Sequence, residues 1–298
     1  MTTFEITPDQ KKAFETAGFL VLKNAIPEKL LTKWRKLLDD FNQTAVTSHL
    51  HGATPQNTSF IENGSTPLLG RVNDLLRIFP DALLEVMASP AIMAIARDLC
   101  GPNAIPLQSD VLFKHKHPTS AVIWHQDALH SRDFPYLNIG IYLDDAEPDD
   151  GCLRCVPGTQ HSALEICELV KNYGWDIPQS ENIAVKAGDI IIHDMMLLHG
   201  SQTKKREGVR RTIYLEMRPS NALDDGMVHS QKWVELRKRW MGMVVRKSTE
   251  TWPEQTHGKL PSDLKSDAEE IGALFSLREA PLPSNCCFES VDCPGYPN

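Results

Sequence analysis

Trp124-His125-Gln126-Asp127 is the stretch on which the reading of this chain turns. In an extended strand residues i and i+2 share a face, so His125 and Asp127 can address one metal ion. A third ligand must come from elsewhere, and Met195-Met196-Leu197-Leu198-His199-Gly200-Ser201 supplies a histidine after a strand-like run. Arg210, eleven residues past His199, opens the run Arg211–Met217 and offers a guanidinium that fits a carboxylate bidentately. H-x-D alone arises by chance in many chains. The specific signal is the order: H-x-D, about 70 residues, H-G-S, then arginine.

Outward from these stretches, residues 105–219 carry short β-type runs. They are Val111–Lys114, Ala121–Trp124, Leu137–Leu143, Asn182–Val185, Asp189–His193 and Arg211–Met217, separated by Pro, Gly and Asp turns. So many short strands predict a sandwich or barrel rather than a βαβ winding. The flanks read as helices. Thr7-Pro8-Asp9 forms a cap with proline at the first helical position, Gly18 stops that helix, and Phe19–Leu22 follows as a buried strand. Pro27 opens a second helix, with Leu30, Leu31, Trp34, Leu37, Leu38 and Phe41 at helical spacing. Asp81–Leu99 is a third, interrupted at Pro90 and ended by Gly101; Val228–Val245 and Asp267–Arg278 follow the β region, ahead of a Pro/Cys-rich tail. The fold class is α+β with a mostly β core, in one domain over 1–298: a helical N-terminal stretch over 1–104, a core of about 105–219 and a helical elaboration over 220–298.

Composition narrows the partners. The 298 residues carry 31 Lys+Arg against 39 Asp+Glu, a formal charge of −8, which argues against nucleic acid or an anionic membrane surface. No apolar run approaches the roughly 18–20 residues of a membrane span. The start, MTTFEITPDQKKAF, has no apolar signal core, and seven cysteines in irregular spacing suggest no disulfide framework. Both point to the cytoplasm. Nothing in the sequence indicates an oligomeric state.

Two histidines and one carboxylate leave three open positions on iron, the arrangement of non-haem Fe(II) oxygenases. The order of motifs resembles the phytanoyl-CoA dioxygenase family of Fe(II)/2-oxoglutarate oxygenases, whose core is a double-stranded β-helix (a jelly roll, cupin-like). The resemblance covers most of residues 8–219. Phe14 to Leu22 is similar to the family's opening helix and strand, and Leu107-Gln108-Ser109 through Phe113-Lys114 to the strand upstream of the metal motif. Leu143-Asp144-Asp145, Gly151-Cys152-Leu153 and Val156-Pro157-Gly158-Thr159-Gln160-His161 resemble its central signature, with Asp150 where Asn is usual and Thr159 for Ser. Lys186-Ala187-Gly188-Asp189 precedes the strand to the distal histidine, as in the family.

The resemblance implies iron ligands His125, Asp127 and His199, with Arg210 on the C5 carboxylate of 2-oxoglutarate and Ser201 adding a hydroxyl. Gln108 and Lys114 match positions where some members contact 2-oxoglutarate. The implied cofactors are Fe(II), 2-oxoglutarate as co-substrate and O2, with succinate and CO2 released. Related halogenases have Gly or Ala in place of the carboxylate, so Asp127 favours hydroxylation, desaturation or ring chemistry. The family's substrates run from fatty acyl-CoA to amino acids, phosphonates, alkaloids and terpenoids. Nothing marks an acyl-CoA site, so the expected substrate is a small molecule of biosynthetic or specialised metabolism. Segments 44–79 and 219–258 are expected to shape its pocket, with Arg71 and Asn73 as polar contacts. Two rivals stand beside this reading: a cupin-like metalloenzyme that ignores 2-oxoglutarate, and a non-catalytic 2-oxoglutarate sensor.

Other motifs take plainer readings. His193 competes with His199, but it is followed by Asp194 and lacks the Gly-Ser sequel, so it reads as a strand residue. The pairs His49/His51 and His115/His117 lack spaced partners and read as loop or surface groups. Cys152 and Cys155 have CxxC spacing without a second pair, and Cys286, Cys287 and Cys293 are too irregular for zinc. The basic run from Lys204 to Arg211 reads as a solvated turn with Arg210 alone turned inward. Trp233 and Trp240 read as packing residues, on a helix placed to act as a lid.

Overall fold

The run Arg210-Arg211-Thr212-Ile213-Tyr214-Leu215-Glu216-Met217-Arg218 alternates polar and apolar residues, and a strand sends the two sets to opposite faces. In the computed structural model of the chain, which describes residues 4–130, 134–223, 229–253, 261–289 and 296, this alternation organises the molecule. The strands are β1 (Phe19–Leu22), β2 (Thr58–Ile61), β3 (Leu68–Asn73), β4 (Ala104–Lys114), β5 (Val122–Gln126), β6 (Leu137–Tyr142), β7 (Leu153–Cys155), β8 (Glu181–Ile183), β9 (Ile190–Asp194), β10 (His199–Ser201), β11 (Arg210–Pro219) and β12 (Asn285–Cys286). They form two antiparallel sheets, ordered β1-β9-β6-β11-β4-β3-β2 and β12-β5-β10-β7-β8. From β4 to β11 the chain passes between the two sheets, four strands to each, which is the jelly-roll arrangement.

The larger sheet's outer face is apolar. Val111, Phe113, Ile139, Ile141, Ile190, Ile192, Ile213 and Leu215 pack there, all buried, against the helices. These helices are α1 (Pro8–Ala17), α2 (Glu28–Leu50), α3 (Leu75–Ile78), α4 (Pro80–Met87), α5 (Pro90–Ile95) and, after the core, α7 (Gln231–Lys247) and α8 (Asp267–Leu274); α6 (Ile166–Tyr173) lies on the smaller sheet. Burial of so much aliphatic surface frees the inner face to be polar, at about 25 cal/mol per Å² of apolar area removed from water. Arg210, Thr212, Tyr214, Glu216 and Arg218 share that inner face, across from Gln108, Asp110 and Lys114. The register slips between Leu215 and Met217, so that β4 carries one extra residue beside Gln108.

The expected α1 is present with a full capping box on Thr7 and a left-handed Gly18. Asp81–Leu99 is α4 and α5, divided before Pro90, and a π-helical turn (Ala96–Cys100) closed by Gly101. Helix α2 continues to Leu50, beyond the apolar stripe that ends at Phe41. Val228 lies outside the described residues, and α7 begins at Gln231, capped by Ser230. Among the described residues, no helix is long and apolar enough to cross a membrane.

Two expectations are corrected. The basic run is a solvated turn only around Lys205 and Arg206, and Arg210 is not alone in turning inward: Lys204 is buried on Asp150 at 2.8 Å, and Arg211 is buried between Asp144 (2.9 Å) and Asp39 (2.6 Å). The cysteines, too, are not all single. Cys167 on α6 and Cys287 after β12 form a disulfide across 120 residues, a pairing that spacing cannot reveal because only the fold brings α6 and β12 together. Cys152 and Cys155 remain free and buried, the latter thiol pushed up to about 12 by burial, so their CxxC spacing makes no redox pair. Cys293 lies outside the described residues. Closing a loop as long as that between Cys167 and Cys287 costs the unfolded chain about 5 kcal/mol of entropy in the chain-entropy model. Cys167→Ser should therefore lower unfolding free energy by about 2–4 kcal/mol. Equal urea midpoints for the variant and the oxidised wild type would count against the bond.

Candidate functional site

His125 near the end of β5 stands directly opposite His199 at the head of β10, with ring centroids 4.1 Å apart. Each imidazole is oriented by its own strand: His125 Nδ1 donates to Ile123 O at 2.8 Å and His199 Nδ1 to Leu197 O at 2.9 Å. In the neutral ring that puts the proton on Nδ1 and turns the Nε2 lone pair toward the site, the form a metal needs. Asp127, just past β5, lies 3.2 Å from His125 Nε2 and 3.7 Å from His199 Nε2. The three donor atoms lie within 4.8 Å of one another. Two neutral imidazoles and a carboxylate at this separation fit a divalent ion with open positions.

The larger sheet fixes the carboxylate from the other side. Asn138 Nδ2 on β6 donates to Asp127 Oδ2 at 3.0 Å, and His193 Nε2 on β9 lies 3.2 Å from the same atom. His193 is a strand residue of β9, as expected, and it is buried beside the triad, its ring 4.3 Å from that of His199. Burial and His125 push His199 down to about 3. Burial raises the Asp127 carboxyl, but the surrounding imidazoles outweigh it and hold the group ionised, well below the usual carboxylate range.

Deeper in the jelly roll, Arg210 and Lys114 form a cross-strand pair between β11 and β4. Both are buried, at 3% and 1% exposure, and neither has a carboxylate within ion-pair distance among the described residues. Lys114 Nζ donates to Ser201 Oγ at 2.6 Å and to Ser120 O at 2.7 Å; Arg210 Nη1 donates to Gly151 O at 2.5 Å, while its Nε is buried without a partner. Burial, reinforced by the Arg210 charge, pushes the Lys114 ammonium down to about 6. A buried guanidinium with an orphaned N–H beside a buried amine that an anion would recharge fits the far carboxylate of a dianion. Gly151 makes room for Lys114, because a Cβ there would lie 2.7 Å from Lys114 Cε and 2.6 Å from Gln202 O, at a φ of +72°. Gly151→Ala is therefore expected to raise the KM for 2-oxoglutarate by about tenfold or more through displaced geometry; an unchanged KM would show that the cations lie elsewhere in the working enzyme.

Gln108 does not join this group. It lies six residues away along β4, roughly 20 Å at strand rise, and donates to Glu216 Oε1 at 2.8 Å. Both line a cavity of about 460 Å³ that reaches Asp127 and Ala128. Burial, then the charges of Asp127 and Asp110, push the Glu216 carboxyl up to about 8. Arg71 also lines the cavity, ion-paired to Asp110 at 2.8 Å, whereas Asn73 is an exposed residue outside its lining. Trp233 and Trp240 are buried as packing residues and line the cavity too. Its remaining wall comes from residues 274–284, beyond the segments expected to shape it. The His pairs at 49/51 and 115/117 are engaged locally, His49 with Thr54, His51 with Thr47 O, His115 with Leu69 O and His117 with Thr119.

The family signature has structural work here. Thr159 Oγ accepts from Leu198 N at 3.0 Å and so braces the entry to His199, while Asp150 receives the buried Lys204. The sequence profile of the family described as Phytanoyl-CoA dioxygenase (PhyH) matches residues 14–212. A probable alpha-ketoglutarate-dependent hypophosphite dioxygenase of Stutzerimonas stutzeri is 26% identical over 186 residues, 56% of this chain and 63% of that protein's length. Among solved structures, AviO1 from Streptomyces viridochromogenes Tue57 superposes with a TM-score of 0.60 at 21% identity, over 73% of this chain and 96% of that one. HygX from Streptomyces hygroscopicus, with nickel and 2-oxoglutarate bound, gives 0.57 at 20% identity, over 72% and 88%. At those identities the likeness shows the jelly-roll fold. With two thirds of its length under one family profile, the chain belongs to the phytanoyl-CoA dioxygenase family of Fe(II)/2-oxoglutarate-dependent oxygenases.

Proposed function

We propose that residues 1–298 act as one unit that oxidises a small organic molecule, with His125, Asp127 and His199 holding Fe(II) and Arg210, Lys114 and Ser201 holding the far carboxylate of 2-oxoglutarate. The observation that carries the reading is the pair of buried, carboxylate-free basic groups behind a metal-ready triad. When bound, iron with 2-oxoglutarate and O2 supplies the oxidation of a substrate C–H bond, with succinate and CO2 released. The chain's own residues orient and exclude. Ile123 O and Leu197 O aim the imidazoles, Asn138 and His193 restrain the carboxylate, and the cavity beside Asp127 keeps the reacting carbon out of bulk water.

A carboxylate at 127 favours hydroxylation, desaturation or cyclisation over halogen transfer, and we place the reaction in biosynthetic or specialised metabolism. The compartment we assign is the cytoplasm; a Cys167–Cys287 bond found fully oxidised in cells would oppose that. The test is Fe(II)-dependent succinate release from 2-oxoglutarate across a panel of metabolites. Substrate-stimulated release supports the reading. Metal-dependent turnover indifferent to 2-oxoglutarate would favour a cupin-like enzyme, and 2-oxoglutarate binding without decarboxylation would favour a sensor.

A further inference from the structure

The wall of the cavity contributed by β11 and α7 holds two arginines, Arg218 and Arg237, with no carboxylate at ion-pair distance among the described residues. Four arginines line the space. Arg71 is paired with Asp110 at 2.8 Å and Arg278 with Asp74 at 2.6 Å. Arg218 is fully buried, donates from Nη2 to His229 Nδ1 at 2.6 Å and stacks on Tyr136 and Trp233, while its Nε and Nη1 are buried without a partner. Arg237 makes no hydrogen bond or ion pair among the described residues, and its Nε is buried. Two indoles hold it instead, with its guanidinium carbon 4.6 Å from the ring centre of Trp233 and 5.5 Å from that of Trp240.

The nearby acids are already committed. Asp74 and Glu279 attract Arg237 across the cavity, but Asp74 is taken by Arg278, and Glu279 accepts from Ser230 N at 2.7 Å and from its hydroxyl. Glu216 accepts from Gln108 and is largely protonated near neutral pH. An arginine cannot shed its proton to escape such a site. Burial and the neighbouring Arg278 and Arg218 depress it only to about 10. A half-buried cation whose Nε is buried without a partner is costly, and ligand sites are where such a cost persists.

We propose that the cavity takes an organic acid, whose carboxylate or phosphoryl oxyanion docks on the guanidinium of Arg237 and whose apolar body lies against Leu274, Phe275 and Leu282. The proposal rests on the oxygenase reading for the side of the cavity that faces Asp127. The anion site itself is independent of the metal. Arg218 deepens the positive field at that wall, its acceptor His229 being held neutral by burial and by the Arg218 charge (pushed down to about 4), while Trp233, stacked on His229 at 4.0 Å between ring centroids, lies between the two guanidinium groups. The size of the cavity suits a metabolite of drug-like dimensions.

The test uses the metal-free full chain and intrinsic tryptophan fluorescence, because Trp233 and Trp240 flank the guanidinium. The probes are 4-phenylbutyrate, phenyl phosphate and the neutral 4-phenylbutanamide. At least one anion should bind about 10- to 100-fold more tightly than the amide, the range of a charge-assisted bond, and the ranking of the two anions identifies the oxyanion. Arg237→Gln should abolish the preference, Arg237→Lys should keep some of it, and Arg210→Gln should leave it intact. Equal binding of acid and amide, no saturable quenching by either anion, a preference that survives in R237Q, or one lost in R210Q would each overturn the proposal.

R237Q also removes a half-buried charge that has no hydrogen-bonded carboxylate among the described residues, so its melting temperature should equal or exceed that of the wild type. A clear fall would mean that Arg237 has a structural partner, and would overturn the proposal as well. The anaerobic absorbance of Fe(II) with 2-oxoglutarate is recorded in parallel. Acid preference without that absorbance sinks the oxygenase reading alone; the absorbance without acid preference sinks the anion site alone.

Discussion

Asp127→Ala and His199→Ala should each bring Fe(II)-dependent succinate formation to background and leave the purified protein with substoichiometric iron. Three protein ligands hold the metal in the 2-His-1-carboxylate site, so removing one weakens the hold and leaves water and buffer to compete for the ion. The expected loss exceeds about 100-fold, because supporting partners alone are worth about 10- to 100-fold in metal sites. That comparison yields an internal scale. Asn138→Ala and His193→Ala remove contacts to Asp127 Oδ2 without removing a ligand, and should fall within the 10- to 100-fold range. Metal content by elemental analysis and succinate by end-point assay measure both tiers. Wild-type turnover in H199A would sink the ligand assignment. Equal losses in H193A and H199A would instead make His193 a ligand.

The triad was legible because its chemistry is local to two strands. His125 and Asp127 are separated by one residue at a strand end, and His199 carries the Gly-Ser sequel that marks its strand. Arg210 was legible by the same alternation that puts Thr212, Tyr214, Glu216 and Arg218 on its face. Asn138, His193, Glu216 and Arg237 were not. They come from strands and a helix brought to the site by closure of the sheets, and no spacing along the chain encodes that meeting. Gln108 shows a related failure. It shares a face with Lys114, yet the length of β4 and the bulge beside it carry it to the cavity instead. Even so, alternation along β11 carried a usable signal for Glu216 and Arg218: a polar residue at every second position of a strand otherwise made of Ile, Leu and Met.

Arg210→Ala should raise the KM for 2-oxoglutarate by at least about 30-fold, since losing one partner of a buried charge contact costs about 2–5 kcal/mol. Lys114→Met makes a sharper test. In the folded, ligand-free chain the Lys114 ammonium is pushed down to about 6 from its ordinary 10.5. Between those two pH values the folded chain binds fewer protons at this group than the unfolded chain does. Its contribution therefore destabilises the fold increasingly as pH falls through 10.5, and fully below 6. A carboxylate docked beside Lys114 and Arg210 reverses the cause, restoring the charged ammonium. At pH 7.5, 2-oxoglutarate binding should consequently take up about one proton, read by calorimetry in two buffers of different ionisation enthalpy. Lys114→Met should abolish the uptake and weaken 2-oxoglutarate while raising the urea midpoint of the ligand-free protein, because a buried amine is replaced by an apolar chain of similar length. A structural lysine would give the opposite stability change, and a lysine that never meets the co-substrate would leave the proton count at zero in the wild type. Only a basic group buried there to meet a dianion predicts that stability rises as binding falls.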